Sequence, residues 1–219
     1  MKLKIEIQLL TPSLIGSGTG YGTIIDADIV FDEIGIPLIP AKRIKGCLRD
    51  SAIELLTWFK LAGIQLFDQK MIDIIFGKPG NIEPGSVYFS NLFIDEYEKI
   101  KTWAIFLSQE VSGLINKESI IDYFTELRQQ TAIDEESGTA KKHSLRTIRV
   151  AKKGLIFKGD IEIHVSDAES AKRLLYYAAK NLRHLGTKRT RGFGYVRCRL
   201  LQDNNELDFI NELEGLCRA

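Results

Sequence analysis

The sequence predicts an α+β fold with a mainly antiparallel sheet of ferredoxin-like type. Segments with apolar residues at every second position lie near both ends of the chain, as half-buried strands require. Each half also has an amphipathic helix, so the predicted order is strand, long helix, strand, then strand, helix, strand. The 219 residues, 44% of them hydrophobic, are enough for one ordered core and too apolar for a disordered chain.

The N-terminal half begins with a strand over residues 2–9, whose apolar residues are spaced by two. Four glycines within residues 16–22 indicate a loop, because glycine weakens both helices and strands. The β-branched segment from Ile24 to Phe31 predicts a second strand. Pro40 then precedes a helix over about residues 42–60, where apolar residues recur every three or four positions.

The middle of the chain is less regular. Gly85 to Ile94 is predicted to be a strand, and Glu118 to Arg128 a helix. The polar stretch from Gln129 to His143 indicates a long excursion away from the core.

The C-terminal half returns to regular patterns. A strand is predicted around residues 155–165, with a bulge at Gly159, followed by an amphipathic helix from Asp167 to His184. Ser166 or Asp167 could cap that helix. The last predicted strand, Tyr195 to Leu201, follows a basic loop.

Composition excludes several classes of protein. No apolar run reaches the roughly 18 residues of a membrane helix, and the charged N-terminus is unlike a signal peptide. Cys47, Cys198 and Cys217 have neither the number nor the spacing of a disulfide framework or zinc site. We therefore expect a reduced, cytoplasmic protein with no membrane partner.

The strongest candidate site is the basic loop at residues 187–195. It combines three cations, two hydroxyls, two glycines and two aromatic rings within nine residues. Cations and hydroxyls bind phosphates, glycines allow close approach, and aromatic rings stack on bases. A solvated loop is the alternative interpretation.

A second group of cations lies at the start of the long helix. Lys42, Arg43, Lys45 and Arg49 occupy a helix end that normally favours acidic residues. An anion docking at this end would explain them, and a solvated face is the alternative.

Acidic residues follow the first glycine-containing loop, at residues 16–22. Asp26 and Asp28 are spaced to face one side of a strand, and Asp32 lies just beyond them. Such carboxylates could hold a divalent cation or accept a proton, or simply face solvent. The loop lacks the spacing of a dinucleotide or P-loop motif. Three scattered histidines show no metal-ligand spacing.

Charge is unevenly distributed along the chain. The net charge is only +1, which by itself argues against a nucleic-acid partner. Residues 141–199, however, hold 16 of the 30 basic and four of the 29 acidic residues, a local balance of +12. The remainder has a balance of −11. The pattern therefore indicates a basic, anion-facing segment on an acidic body, so the small net charge does not exclude a nucleic-acid partner.

Four motifs, in order along nearly the whole chain, resemble the RAMP proteins of CRISPR systems. They are the opening segment from Leu10 to Gly18, the first-helix segment from Ile36 to Arg49, Phe76-Gly77, and the glycine-rich stretch from Gly192 to Val196. The segments Thr131 to Asp134, Gly138 to Ala140 and Ser144 to Thr147 further resemble the thumb of the Cas seven family, the backbone subunits of type III effector complexes.

The resemblance implies one RAMP domain over residues 1–219, with an RRM-like core. It further implies a thumb-like insertion at about 128–154 and a C-terminal glycine-rich loop at about 186–194. The implied thumb residues are Thr131, Ala132, Ile133 and Leu145. The implied RNA-binding residues are Lys42, Arg43, Lys45, Arg49, Thr187, Lys188, Arg189, Arg191, Gly192, Phe193 and Gly194.

The implied partners are guide (CRISPR) RNA, target RNA and other CRISPR effector subunits. In target-cleaving members of the family a loop aspartate supports metal-dependent cleavage of the bound target. Asp26 fits that position, with Mg²⁺ or another divalent cation as the implied cofactor and Asp26 as its ligand. Two alternatives stay open: a structural RAMP subunit without an active site, and a stand-alone guide-processing endoribonuclease.

Overall fold

The computed structural model describes residues 1–16, 25–78, 80, 84–111, 115–134 and 137–218. The strands are β1 (Lys2–Leu9), β2 (Leu38–Ile39), β3 (Val87–Phe89), β4 (Leu92–Ile94), β5 (Thr125–Gln130), β6 (Arg146–Ala151), β7 (Ile156–Ile163), β8 (Val196–Gln202) and β9 (Asn205–Glu206). The helices are α1 (Ala41–Leu61), α2 (Gln69–Phe76), α3 (Tyr97–Glu110), α4 (Lys117–Phe124), α5 (Ala168–Asn181) and α6 (Ile210–Arg218).

The main sheet is antiparallel and has the order β2-β4-β7-β1-β8-β9, with β3 also paired to β7. Its central strands β4, β7, β1 and β8 are joined through α1 and α5, which is the ferredoxin-like arrangement. The predicted fold class is therefore confirmed.

The apolar face of β1 carries the core. Its residues at alternate positions, Leu3, Ile5, Ile7 and Leu9, are all buried. The two long helices α1 and α5 pack against each other, and the Ser51 hydroxyl on α1 donates a 2.8 Å hydrogen bond to the Ala178 carbonyl on α5. The Asp167 carboxylate caps α5 by accepting a hydrogen bond from the Ser170 backbone N–H. Of the two predicted caps, Ser166 and Asp167, the structure therefore shows Asp167.

The opposite face of the main sheet is charged, and several of its charges are paired. The Glu6 carboxylate lies 2.9 Å from Arg199 and 3.8 Å from Lys158. Lys2 lies 2.8 Å from Glu162. Residues that face each other across a ladder lie on the same face of the sheet, so these oppositely charged side chains on neighbouring strands are close enough to pair.

Four predicted elements differ from the structure. The single strand predicted from Gly85 to Ile94 is two strands, β3 and β4. Of the predicted strand from Ile24 to Phe31, Ile24 lies outside the described residues, and residues 25–31 form only isolated bridges to other segments. The predicted helix from Glu118 ends at Phe124, where β5 begins.

β7 pairs with β1 residue by residue through Ile5 and Gly159, so the predicted bulge is absent from that ladder. On the other side of β7 the register shifts by one residue between β3 and β4, opposite Gly159, and the extra residue lies in the segment that joins β3 and β4. A side chain at Gly159 would instead meet Ser90 and Leu92.

β5 and β6 form a separate two-stranded hairpin that overlaps the segment predicted as a thumb, about 128–154, and begins three residues before it. The β5–β6 ladder is tied to the body of the protein by bridges from Ala151 to Ser13 and from Ile148 to Ala27. Ile148 and Val150 are buried in the common core. The described residues that connect the two strands are mostly exposed and project from a base at Gln130 and Arg146, where β5 ends and β6 begins.

Candidate nucleic-acid interface

The glycine-rich loop at residues 186–194 is held in shape by two glycines that no other residue could replace without strain. Gly186 and Gly194 have φ angles of +94° and +78°. A Cβ at Gly186 would overlap the Leu14 carbonyl oxygen, and one at Gly194 would overlap that of Leu185. The loop thus lies directly against neighbouring backbone, as the Thr187 N–H bond to the Leu14 carbonyl also shows.

Between these glycines the chain makes one 3₁₀ turn, Arg189–Arg191, which directs cations outward. The side chains of Arg189 and Arg191 are exposed, and Lys188 is half-buried. Around Gly192 there is open space, since a Cβ there would meet no atom within 4 Å. A ligand backbone can therefore approach this turn closely.

The hairpin and the glycine-rich loop meet at Gln130, the last residue of β5. Its side-chain carbonyl accepts hydrogen bonds from the Lys188 ammonium group and, at 3.5 Å, from Arg191. Gln130 is paired with Arg146 across the hairpin. The neutral amide thus holds two cations in place without neutralising them.

Asp26 lies at the same junction. Its side chain is exposed, and one carboxylate oxygen accepts a 2.7 Å hydrogen bond from the Thr147 N–H at the start of β6. Burial and the nearby Arg191 and Arg146 groups hold the pKa of Lys188 below its usual value. The Asp26 carboxylate partly offsets this by raising the pKa of Lys188. One carboxylate and three cations therefore share this junction, which we call the hairpin-base cluster: Asp26, Arg146, Lys188 and Arg191.

The other two acidic residues of this segment have structural partners. Asp28 is buried and forms a 2.9 Å ion pair with Arg149. Asp32 accepts three backbone hydrogen bonds from Ile34, Gly35 and Ile36, and a fourth hydrogen bond from the Tyr97 hydroxyl. Asp26 and Asp28 therefore do not act as a pair on one exposed face, as their spacing had suggested.

The fit of a divalent cation at Asp26 is limited to a single ligand. In the part of the chain that the structure describes, no three histidine, cysteine, aspartate or glutamate side chains are grouped to hold a metal ion. Mg²⁺ commonly keeps several waters and is bound by one or two carboxylates with phosphates of its substrate. Asp26 could serve as that one carboxylate.

The cations at the start of α1 separate onto two sides of the helix. Arg43 is exposed and donates a 2.9 Å hydrogen bond to the Gly16 carbonyl, close to the glycine-rich loop. Lys42 is exposed and Lys45 half-buried. Arg49 faces α2, with its guanidinium 3.9 Å from Asp73. The structure therefore places Arg43 at the candidate interface and Arg49 apart from it.

The hairpin tip presents polar and apolar groups to solvent. Ile133 and Leu145 are 60% and 64% exposed, although both are large and apolar. The tip is shaped by its own hydrogen bonds, including that between the hydroxyls of Thr131 and Ser144 at 2.7 Å. Ala132 is also exposed. All four predicted thumb residues thus lie in the connection between β5 and β6, beyond the ends of both strands.

Some predicted contributions are not where the pattern suggested. Phe193 is half-buried and packs against the core, so it is Tyr195, 45% exposed, that offers a ring to solvent. Most of the glycine-rich segment at residues 16–22 lies outside the described residues. Gln130, Arg146 and Thr147 were not selected from the sequence, because their role depends on the hairpin register that pairs β5 with β6.

Fold and site together define a ferredoxin-like protein with a projecting hairpin and an exposed basic loop at its base. The chain belongs to the RAMP superfamily, whose family model matches residues 6–197. No curated protein matches the sequence significantly.

Two solved structures have the same fold. One is a chain from a type III-B Cmr-beta complex bound to cognate target RNA, at 17% identity and a TM-score of 0.66, covering 91% of this chain and 97% of that one. The other is from the apo state of a type III-B Cmr-beta complex, at 16% identity and a TM-score of 0.67, covering 93% and 98%. Within the described residues, no helix is long and apolar enough to cross a membrane.

Proposed function

We propose that this protein is a guide-RNA-binding backbone subunit of a type III CRISPR effector complex, and that it cleaves the bound target RNA. The observation that carries the proposal is the hairpin-base cluster, where cations that form no carboxylate salt bridge within the described residues surround an exposed aspartate at the foot of a projecting hairpin. Family membership and the shared fold with a chain of a target-bound Cmr-beta complex support it.

The guide backbone would follow the glycine-rich loop. Arg189, Arg191 and Arg43 present guanidinium groups that suit phosphate oxygens, and Gly192 leaves space for the backbone to approach. The exposed apolar side chains Ile133 and Leu145 would insert beside bases at the hairpin tip. Guide and target would then be separated locally over the hairpin.

Cleavage would take place at the foot of the hairpin. A divalent cation bound there would polarise the phosphate and lower the pKa of an attacking hydroxyl. Asp26 would hold that cation or accept a hydrogen bond from the 2′-hydroxyl, and the Thr147 N–H keeps its carboxylate oriented. Lys188 and Arg146 would stabilise the charge that develops on the phosphate.

The test uses the assembled complex with guide RNA and a labelled matching target. Asp26→Ala should reduce target cleavage at least about 100-fold, because general acid–base and charge-stabilising groups each contribute that much or more. Binding of guide and target should stay unchanged. Glu33→Gln is a matched control, since Glu33 is an exposed carboxylate of the same segment.

Three results would contradict parts of the proposal. Normal cleavage by the Asp26→Ala complex would exclude the catalytic role of Asp26. Binding of target without Mg²⁺-dependent cleavage by the unaltered complex would favour the purely structural subunit. Specific cutting of precursor RNA by the isolated protein in a chelator would favour the guide-processing endoribonuclease.

A further inference from the structure

A cleft of about 630 Å³ lies beside the glycine-rich loop, between α1 and the end of α5. Its volume is in the range of sites that take small molecules or single residues of a polymer. Asp50 and Glu54 lie on the α1 side, and Arg183, His184 and Arg189 on the other. None of these five residues belongs to the hairpin-base cluster.

The two sides of the cleft carry opposite charges that do not neutralise each other. Within the described residues the Asp50 carboxylate and the Arg183 guanidinium form no hydrogen bond or ion pair. Glu54 accepts a 2.9 Å hydrogen bond from the Asn181 amide through one oxygen. The Arg189 Nε donates to the Gly186 carbonyl, which leaves its terminal amino groups directed elsewhere.

The floor and the edge of the cleft also suit a planar ligand. Cys47 and Leu182 supply apolar surface, and the His184 ring lies 5.4 Å from the Tyr195 ring. Burial raises the pKa of the Cys47 thiol, and the Arg189 and Arg43 cations act against that rise. Both cations of the candidate RNA path are therefore close to the cleft.

We propose that this cleft binds the unpaired guanine of a single-stranded RNA. Guanine has two parallel N–H donors, at N1 and N2, that match a carboxylate, and two acceptors, O6 and N7, that match a guanidinium group. Asp50 and Glu54 lie one helical turn apart on the same face of α1, so either carboxylate can meet the donor edge. Arg183 or Arg189 would meet the acceptor edge.

Other bases match this arrangement less well. Adenine has an acceptor at N1 where guanine has a donor. Its N1 would therefore face a carboxylate oxygen, which is also an acceptor, and no hydrogen bond would form. Uracil has one N–H donor on its pairing edge. His184, supported by Tyr195, offers a ring on which any base can stack, so stacking alone would not discriminate. Selectivity is expected from the carboxylates.

This inference rests on the proposed function, because the guanine is expected to come from an RNA that the protein binds. The test measures binding of the full chain to six-nucleotide uridine oligomers with one central guanine, inosine or adenine, by fluorescence anisotropy. Guanine should bind about ten-fold tighter than adenine, since hydrogen bonds to a charged acceptor are strong. Inosine, which lacks the N2 amino group, should be intermediate.

The double variant Asp50→Asn with Glu54→Gln tests the role of the carboxylates. Both substitutions keep the side-chain shape, and the amide oxygen introduced by Glu54→Gln can still accept from Asn181. The guanine preference should disappear. A uniform increase in affinity for all three oligomers would instead show that the carboxylates only repel RNA. Glu98→Gln with Glu110→Gln, both exposed on α3, is the control for removal of two negative charges.

Two further comparisons complete the test. Guanosine monophosphate should bind more weakly than the guanine oligomer, because it lacks the flanking phosphates, and equal affinity would overturn RNA as the source of the base. Equal binding of all three oligomers would overturn the guanine site while leaving the proposed function intact. Absence of binding to every oligomer would contradict the proposed function as well.

Discussion

The outer face of the main sheet and the glycine-rich loop are both rich in cations, but within the described residues ion pairs with carboxylates occur on the sheet face and not on the loop. Two sheet-face cations in the described part of the chain lack such a pair: Lys4 donates to the Asn204 amide, and Arg197 is exposed. On the sheet face, Lys2 pairs with Glu162, and Arg199 and Lys158 both lie beside Glu6. On the loop, Lys188 and Arg191 share the neutral amide of Gln130.

This difference shows why the number of basic residues is a poor guide to an anion-binding surface. A cation that already has a carboxylate partner gains little from a phosphate, because the new interaction replaces an existing one. A cation held by a neutral amide or a carbonyl is positioned and keeps its full charge. Lys188 and Arg191 on the loop are therefore expected to contribute more to RNA binding than the paired cations Lys2, Lys158 and Arg199 on the sheet face.

The largest effect is expected from changing the shape of the loop. Gly194→Ala should lower the free energy of unfolding by about 3 kcal/mol, because it adds left-handed strain and a clash with the Leu185 carbonyl. Gly192→Ala has a similar φ of +79° without the clash, and should cost about 1 kcal/mol. Urea unfolding measures both, and equal reductions would show that close packing at Gly194 is unimportant.

The next effect compares the two groups of cations directly. Lys188→Ala with Arg191→Ala should weaken binding of single-stranded RNA about ten- to thirty-fold, and reduce the salt dependence by roughly one unit of slope for each phosphate that is no longer bound. Lys2→Ala with Lys158→Ala removes the same charge from the sheet face and should change affinity little. Anisotropy titrations at several salt concentrations measure both, and similar weakening would remove the distinction between the surfaces.

The smallest effect concerns the pH dependence of stability on the sheet face. Hydrogen bonds from Lys2 and then His164 hold the pKa of Glu162 below its usual value. A carboxyl with a lowered pKa stabilises the fold above the pKa of the unfolded chain, and that contribution is lost as pH falls through the folded pKa. Glu162→Gln should therefore flatten the acid side of the stability curve.

Denaturant unfolding between about pH 3 and pH 7 covers this range, since the unperturbed pKa of a glutamate is near 4.3. Glu33→Gln, which changes an exposed carboxylate outside the sheet face, should leave the curve unchanged. RNA affinity at neutral pH should be the same for both variants. A clear loss of RNA binding by Glu162→Gln would place the sheet face in the interface.

Most of the core could be predicted because its signals are local. The alternation in β1 and the helical spacing in α1 and α5 come from residues a few positions apart. The sequence predicts a helix from Glu118 to Arg128. The structure ends that helix at Phe124, since the following residues pair with β6, more than fifteen positions away along the chain.

The candidate site shows the same division. Lys188, Arg189 and the flanking glycines stand out in the sequence because they are consecutive. Arg43 and Arg49 looked like one group, yet the side chains of residues six positions apart in a helix point in directions about 120° apart. They therefore face different neighbours, the Gly16 carbonyl and Asp73.

The sequence by itself determined the α+β class, the amphipathic elements, the positions of the glycines and the total charge of each segment. Only the tertiary structure decided which charges are neutralised. Glu6 meets Arg199 through the register of β1 and β8, and Lys188 meets Gln130 where the hairpin base touches the loop. Such partners are distant in the chain, so their pairing depends on strand register and packing, which no local pattern encodes.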